Sequence, residues 1–163
     1  MSGKKHEESF IRQAGEGERR WFYGGGIHTW LAKSEETGGA SLIYRDSMEL
    51  GKVTPMHIHP DTDECLYVLS GEILVNLDGT EHHVDAGGLV MALRGIPHAF
   101  KVLAEDTNVL CFQTPGNAQA FYMGASEPMD ADDKASGVVD FDRIQESGMR
   151  NGGIVIVGPP PFH

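Results

Sequence analysis

Between Trp21 and Thr114 the apolar residues fall into short runs separated by turn-forming residues. Runs of this length with β-branched and aromatic residues predict extended segments at Ile27–Lys33, Ala40–Met48, Cys65–Leu69, Glu72–Leu77, Thr80–Val84, Leu89–Leu93, His98–Leu103 and Asn108–Thr114. The punctuation agrees with them. The triple glycine Gly24–Gly26 marks a bend, Ser34–Gly39 is a loop by composition, Asp78-Gly79 is a tight hairpin turn, and Ala86-Gly87-Gly88 is another turn. Many short strands at close spacing with no long helix between them predict an all-β sandwich or barrel.

Past Pro115-Gly116 the pattern changes. Asn117–Met123 predicts a short helical turn that sets Phe121 and Tyr122 against the β-domain, and Glu127–Gly137 reads as a linker. Asp140 is placed to cap a helix running to about Glu146, with Phe141 and Ile144 on one face and Gly148 as its stop. An apolar run, Ile154–Val157, ends at Gly158-Pro159, because proline cannot donate to a strand ladder. The expected organisation is a flexible N-terminal tail over 1–20, a barrel over 21–126, and a linker, short helix and C-terminal segment over 127–163 that packs on the barrel or on a partner.

Composition narrows the partners. In 163 residues, 13 Lys and Arg stand against 24 Asp and Glu, a formal charge of −11. That excess opposes binding to nucleic acid and to anionic membrane. No stretch approaches the roughly 20 apolar residues of a membrane span, and the polar first twenty residues hold no secretory core, so a cytoplasmic protein is expected. Cys65 and Cys111 sit in apolar runs and read as reduced core thiols.

The chemistry concentrates in residues 51–71. His57 and His59, one residue apart, share a face only on extended backbone. A turn through Pro60–Asp63 then returns Glu64 beside them. Two imidazoles and a carboxylate on rigid strands make most of a divalent transition-metal site, and His98, delivered by the Gly95-Ile96-Pro97 turn, is the fourth candidate.

Residues 51–71 fit G-x5-H-x-H-x4-E-x6-G at every fixed position, and Gly87, Gly95 and His98 fit the second signature, where Leu93 stands in place of a usual proline and Val102 in place of a usual asparagine. On these motifs the chain resembles the cupin superfamily. The turn after Trp21-Phe22, Glu36–Ala40, Arg94–His98, Thr114–Gly116 and Gly158–Pro161 resemble small single-cupin proteins related to bacterial quercetin 2,3-dioxygenases. The resemblance implies a double-stranded β-helix, or jelly roll, with one divalent metal per chain (Fe, Mn, Ni or Co, with Zn admissible) on His57, His59, Glu64 and His98. It also implies Glu64 as the catalytic base and a dioxygenase reaction on a flavonol-like or enolisable aromatic substrate.

The ligand set also suits an oxygen-independent isomerase, lyase or decarboxylase, and the fold suits a non-enzymatic small-molecule binder. An aromatic substrate calls for apolar walls, for which Met56, Ile96, Phe22, Phe100 and Tyr122 are the candidates, with Trp30 and Phe121 nearby. Arg94 is a candidate for an anionic group. If Glu64 faces inward, alternation turns Cys65, Tyr67 and Leu69 outward, and that apolar face predicts a homodimer. His82 and His83 read as a solvated hairpin, whereas His6, His28 and His163 suggest no partner.

Overall fold

The computed structural model describes residues 8–133 and 139–163. Along the chain come β1 (Arg19–Phe22), β2 (Gly26–Ala32), β3 (Leu42–Met48), β4 (Met56–Ile58), β5 (Asp63–Ser70), β6 (Glu72–Leu77) and β7 (Thr80–Asp85). They are followed by β8 (Leu89–Ala92), β9 (His98–Val102), β10 (Thr107–Thr114), α1 (Gln119–Gly124), β11 (Ser126–Pro128), α2 (Phe141–Asn151) and β12 (Val155–Gly158). One sheet has the order β11-β1-β2-β3-β10-β5-β8 and the other β12-β4-β9-β6-β7. Every named pairing is antiparallel, which gives the expected jelly roll.

Period-two alternation fills the space between the sheets. On β5, Glu64, Leu66 and Val68 point inward, and on β10 the inward set is Thr107, Val109, Cys111 and Gln113. Leu66 and Val68 join Trp30, Leu42, Tyr44 and Ile73 in one core, each fully buried side chain contributing about 1.5–3 kcal/mol. Outward on the same sheet, Tyr67, Leu69, Leu89, Met91 and Phe112 are exposed, a largely apolar face across β10, β5 and β8.

The turns carry the register. Asp78 and Gly79 both take positive φ, 50° and 86°, and close the β6–β7 hairpin with Gly79 N–H donating to Asn76 Oδ1. At Gly71 a Cβ would lie 2.1 Å from Thr107 Oγ1, so only glycine lets β5 turn into β6 there.

The ends of the chain differ from the sequence expectation. β1 starts at Arg19, inside the stretch read as tail, because its residues pair with β2 on one side and with β11 on the other. That second partner, Ser126–Pro128, straddles the expected start of the linker, of which residues 134–138 fall outside the described residues, as does His6. Asp140 caps α2 as expected, its carboxylate accepting from Arg143 N–H, but Gly148 does not end the helix. The helix runs on to Asn151 and stops at Gly152, whose φ is 67°. Gly148 is there for packing, since a Cβ would come within 3.0 Å of Ile154 Cγ2. The apolar run after it becomes β12, paired with β4 so that Ile156 sits opposite His57. Among the described residues no helix is long and apolar enough to cross a membrane.

Candidate metal centre

The two sheets meet at four buried side chains. β4 carries His57, its end releases His59, and β9 places His98 directly opposite His57, while Glu64 comes from β5 on the facing sheet. One donor atom from each lies within 4.8 Å of every other, and none of the four residues exceeds 6 % exposure.

Backbone carbonyls fix which imidazole nitrogen faces inward. His57 Nδ1 is 2.8 Å from Pro55 O, His59 Nδ1 2.9 Å from Gly153 O and His98 Nδ1 2.9 Å from Ile96 O. A carbonyl oxygen only accepts, so each Nδ1 carries the proton and each neutral ring presents its lone pair at Nε2. His59 Nε2 lies 3.1 Å from Glu64 Oε2, yet it is buried without a hydrogen bond of acceptable geometry. An orphaned buried nitrogen, two further imidazoles and a carboxylate fit a divalent transition ion, and the carbonyl partners supply the outer support that metal-ligating histidines require.

The charges agree. Burial pushes the His57 imidazolium down, and the neighbouring His98 and His59 add to it, to a pKa of about 3, so this ring stays an available donor in mildly acidic solution. Burial acts the same way on His59, but Glu64 outweighs it and holds that ring above its usual value. Burial raises the Glu64 carboxyl, and the neighbouring His59 and His98 more than reverse this, leaving it well below the ordinary range.

Two residues hold Glu64 from behind. Gln113 is its cross-strand neighbour on β10 and donates from Nε2 to Glu64 Oε2, and Tyr122 Oη, from α1, lies 3.3 Å from the same oxygen. Gln113 was not singled out from the sequence. Its signal was a polar residue at an inward position of the Val109, Cys111, Gln113 alternation.

A cavity of about 50 Å³ opens beside the ligands. Phe22, Phe100 and Tyr122 line it together with His57 and Glu64, whereas Met56 and Ile96 are half-buried outside it and Phe121 joins the wall. Arg94 is elsewhere, paired at the surface with Asp63 at 3.1 Å. His82 and His83 are exposed on β7, His83 against Glu72. His28 does have partners: it stacks on Phe22 at 4.5 Å, lies 3.6 Å from Asp46 and lines the cavity, with Asp46 and Lys52 as further lining residues that sequence reasoning missed.

Known proteins agree with this architecture. The chain is 29 % identical over 126 residues to quercetin 2,3-dioxygenase of Bacillus subtilis (strain 168), covering 77 % of this chain and 37 % of that protein's length. KdgF from a Halomonas species superposes with a TM-score of 0.61 at 19 % identity, over 66 % of this chain and 94 % of its own. An RmlC-like cupin from Shewanella frigidimarina gives 0.58 at 19 % identity, over 67 % and 94 %. At such identities these two structures speak for the fold alone. A family model described as a cupin domain matches residues 45–112, the segment from β3 to β10 that carries all four ligands, so this part of the chain is similar to a cupin domain and the two-sheet fold around it is a cupin-like jelly roll.

Proposed function

We propose that this protein is a metal-dependent enzyme in which Glu64 takes a proton from the substrate, most simply a dioxygenase acting on an enolisable or hydroxylated ring. One observation supports it above the others: a carboxylate buried among three imidazoles is held by Gln113 and Tyr122 through Oε2, which leaves Oε1 the less encumbered oxygen, with His98 Nε2 at 3.3 Å. A divalent ion on His57, His59, Glu64 and His98 would act as a Lewis acid toward a substrate oxygen and lower the pKa of its hydroxyl. The protein's own residues do the rest. Glu64 accepts the proton, Gln113 and Tyr122 fix the carboxylate's orientation, and Phe22, Leu66 and Phe100 keep water from the cavity. The Bacillus relative, by its name, supports dioxygen as second substrate.

The cavity favours a second reading. About 50 Å³ is well below the roughly 300–1,000 Å³ of pockets that enclose drug-sized ligands, so a compact substrate and an oxygen-independent isomerase, lyase or decarboxylase reaction also fit. Turnover by metal-loaded protein under air and under nitrogen, on quercetin and on small enols, separates the two. Oxygen uptake matching substrate loss is expected; turnover without uptake favours the second reading, and bound metal with no turnover leaves a binding protein.

Free Cys65 and Cys111, the latter buried, support a reducing compartment such as the cytoplasm. We further propose a homodimer in which the exposed Tyr67, Leu69, Leu89 and Met91 face is covered by a second copy. A solution mass of 17.7 kDa at micromolar concentration would rule that out.

A further inference from the structure

The cavity that holds His57 and Glu64 also holds an ion pair. Lys52 Nζ lies 2.9 Å from Asp46 Oδ2, and neither side chain exceeds 6 % exposure. An ammonium has three N–H donors, and Asp46 is the sole hydrogen-bond acceptor of the Lys52 ammonium among the described residues. The rings of Phe22 and Phe100 flank the remaining side, their centroids 5.4 and 5.5 Å from Nζ. Buried donors without acceptors are costly and uncommon.

The chain makes room for this pair. Gly26 leaves open the position where a Cβ would sit 2.1 Å from Asp46 Oδ1 and 3.0 Å from Lys52 Nζ. Asp46 Oδ1 is itself buried and unpartnered, and so is Nδ1 of His28, whose Nε2 lies 3.6 Å from Asp46 Oδ2. A salt bridge serving only to tie two strands would bring its donors and acceptors to balance. Here the unmatched donors belong to a cation in the wall of the metal cavity.

Formal charge then selects the ligand. A divalent ion, the two carboxylates Glu64 and Asp46 and the Lys52 ammonium, with neutral imidazoles, sum to a single positive charge in a chain that is otherwise strongly acidic. Size selects it further: about 50 Å³ accommodates roughly three or four water-sized groups.

We infer that Lys52 is a substrate-binding residue for a small organic monoanion, a short 2-oxo or 2-hydroxy carboxylate, whose carboxylate accepts the free Lys52 donors while its other oxygen is directed to the metal ligands. This rests on the proposed metal site and, of the two readings above, on the compact-substrate one, whose substrate class it names. Asp46 holds the ammonium in place, and Phe22 and Phe100 keep it dry.

Calorimetric titration of zinc-loaded protein with pyruvate and with its uncharged amide, pyruvamide, tests the inference. Wild-type protein should prefer pyruvate by about tenfold or more, the scale of a hydrogen bond to a charged group. The paired variant Lys52→Met, Asp46→Asn removes both charges together and leaves no lone buried ion. It should keep its zinc and lose both the tenfold and the preference. Equal binding of pyruvate by the two proteins, or equal binding of pyruvate and pyruvamide by wild type, overturns the inference; the second comparison needs no variant and so decides the matter even if the paired variant does not fold. Zinc content is measured first. Wild-type protein without zinc contradicts the metal reading alone, and the same titrations on the metal-free protein then decide the role of Lys52.

Discussion

Glu64 and Asp46 are both buried to 4 % exposure, both line one cavity, and both face inward from the seven-stranded sheet, yet their surroundings differ. Asp46 has a resident cation, Lys52 at 2.9 Å, and across the strand His28. Glu64 has no lysine or arginine partner among the described residues; its cross-strand neighbour is Gln113, Tyr122 Oη stands beside it, and the rest are imidazoles whose Nδ1 protons are committed to carbonyls. A buried carboxylate needs compensating charge. One site carries its own, and the other is built to receive it as an ion.

The sharpest way to break the comparison is at Asp46. Burial raises its carboxyl, but Lys52 and His28 outweigh that and hold it at about 2, against 3.8 unperturbed. A folded-state pKa below the unfolded one contributes stability above pH 3.8 that is lost as the pH falls through 2, here about 2 kcal/mol. Asp46→Asn leaves Lys52 unpaired and should cost about 3–5 kcal/mol at neutral pH. Urea denaturation measures it, and an unchanged midpoint would mean the pair is not buried as described.

At Glu64 the loss should fall on chemistry. Glu64→Gln keeps the size and one acceptor oxygen, so metal at saturating supply should change little, while turnover per bound metal falls about 10²-fold or more. A normal rate in the metal-saturated variant would show that Glu64 is not the base.

Behind Glu64 a smaller effect is expected. Gln113→Leu removes the amide that orients the carboxylate and should weaken metal affinity or activity by about 10-fold, toward the low end for outer-shell partners. Tyr122→Phe should do less, because its contact with Glu64 is 3.3 Å against the shorter bond from Gln113. Competition with a metal-binding dye reads both, and a larger loss in Tyr122→Phe than in Gln113→Leu would reverse their roles.

Much of this was legible in the sequence. His57, His59 and Glu64 lie within eight residues, so alternation aligns the two histidines and the short turn after them brings Glu64 back to the same place. The Asp78-Gly79 turn and Asp140 cap were readable for the same reason: their chemistry is local. The second carboxylate site was not, because Asp46, His28 and Lys52 are joined by the β2–β3 register and by a turn whose geometry no spacing reveals. Gln113 and Gly153 were missed likewise, each reaching the site across a strand pair or from the chain end. Gly148 misled because a glycine required by Ile154 looks, in sequence, like a glycine that stops a helix.

Elemental analysis of protein purified without chelator, beside the His57→Ala, His98→Ala double variant, bears on the ligand set itself. Wild type should carry up to one divalent transition ion per chain and the double variant almost none. Stoichiometric metal surviving in the double variant would show that the ion is held elsewhere, and that Glu64 is left without the charge its site is built to receive.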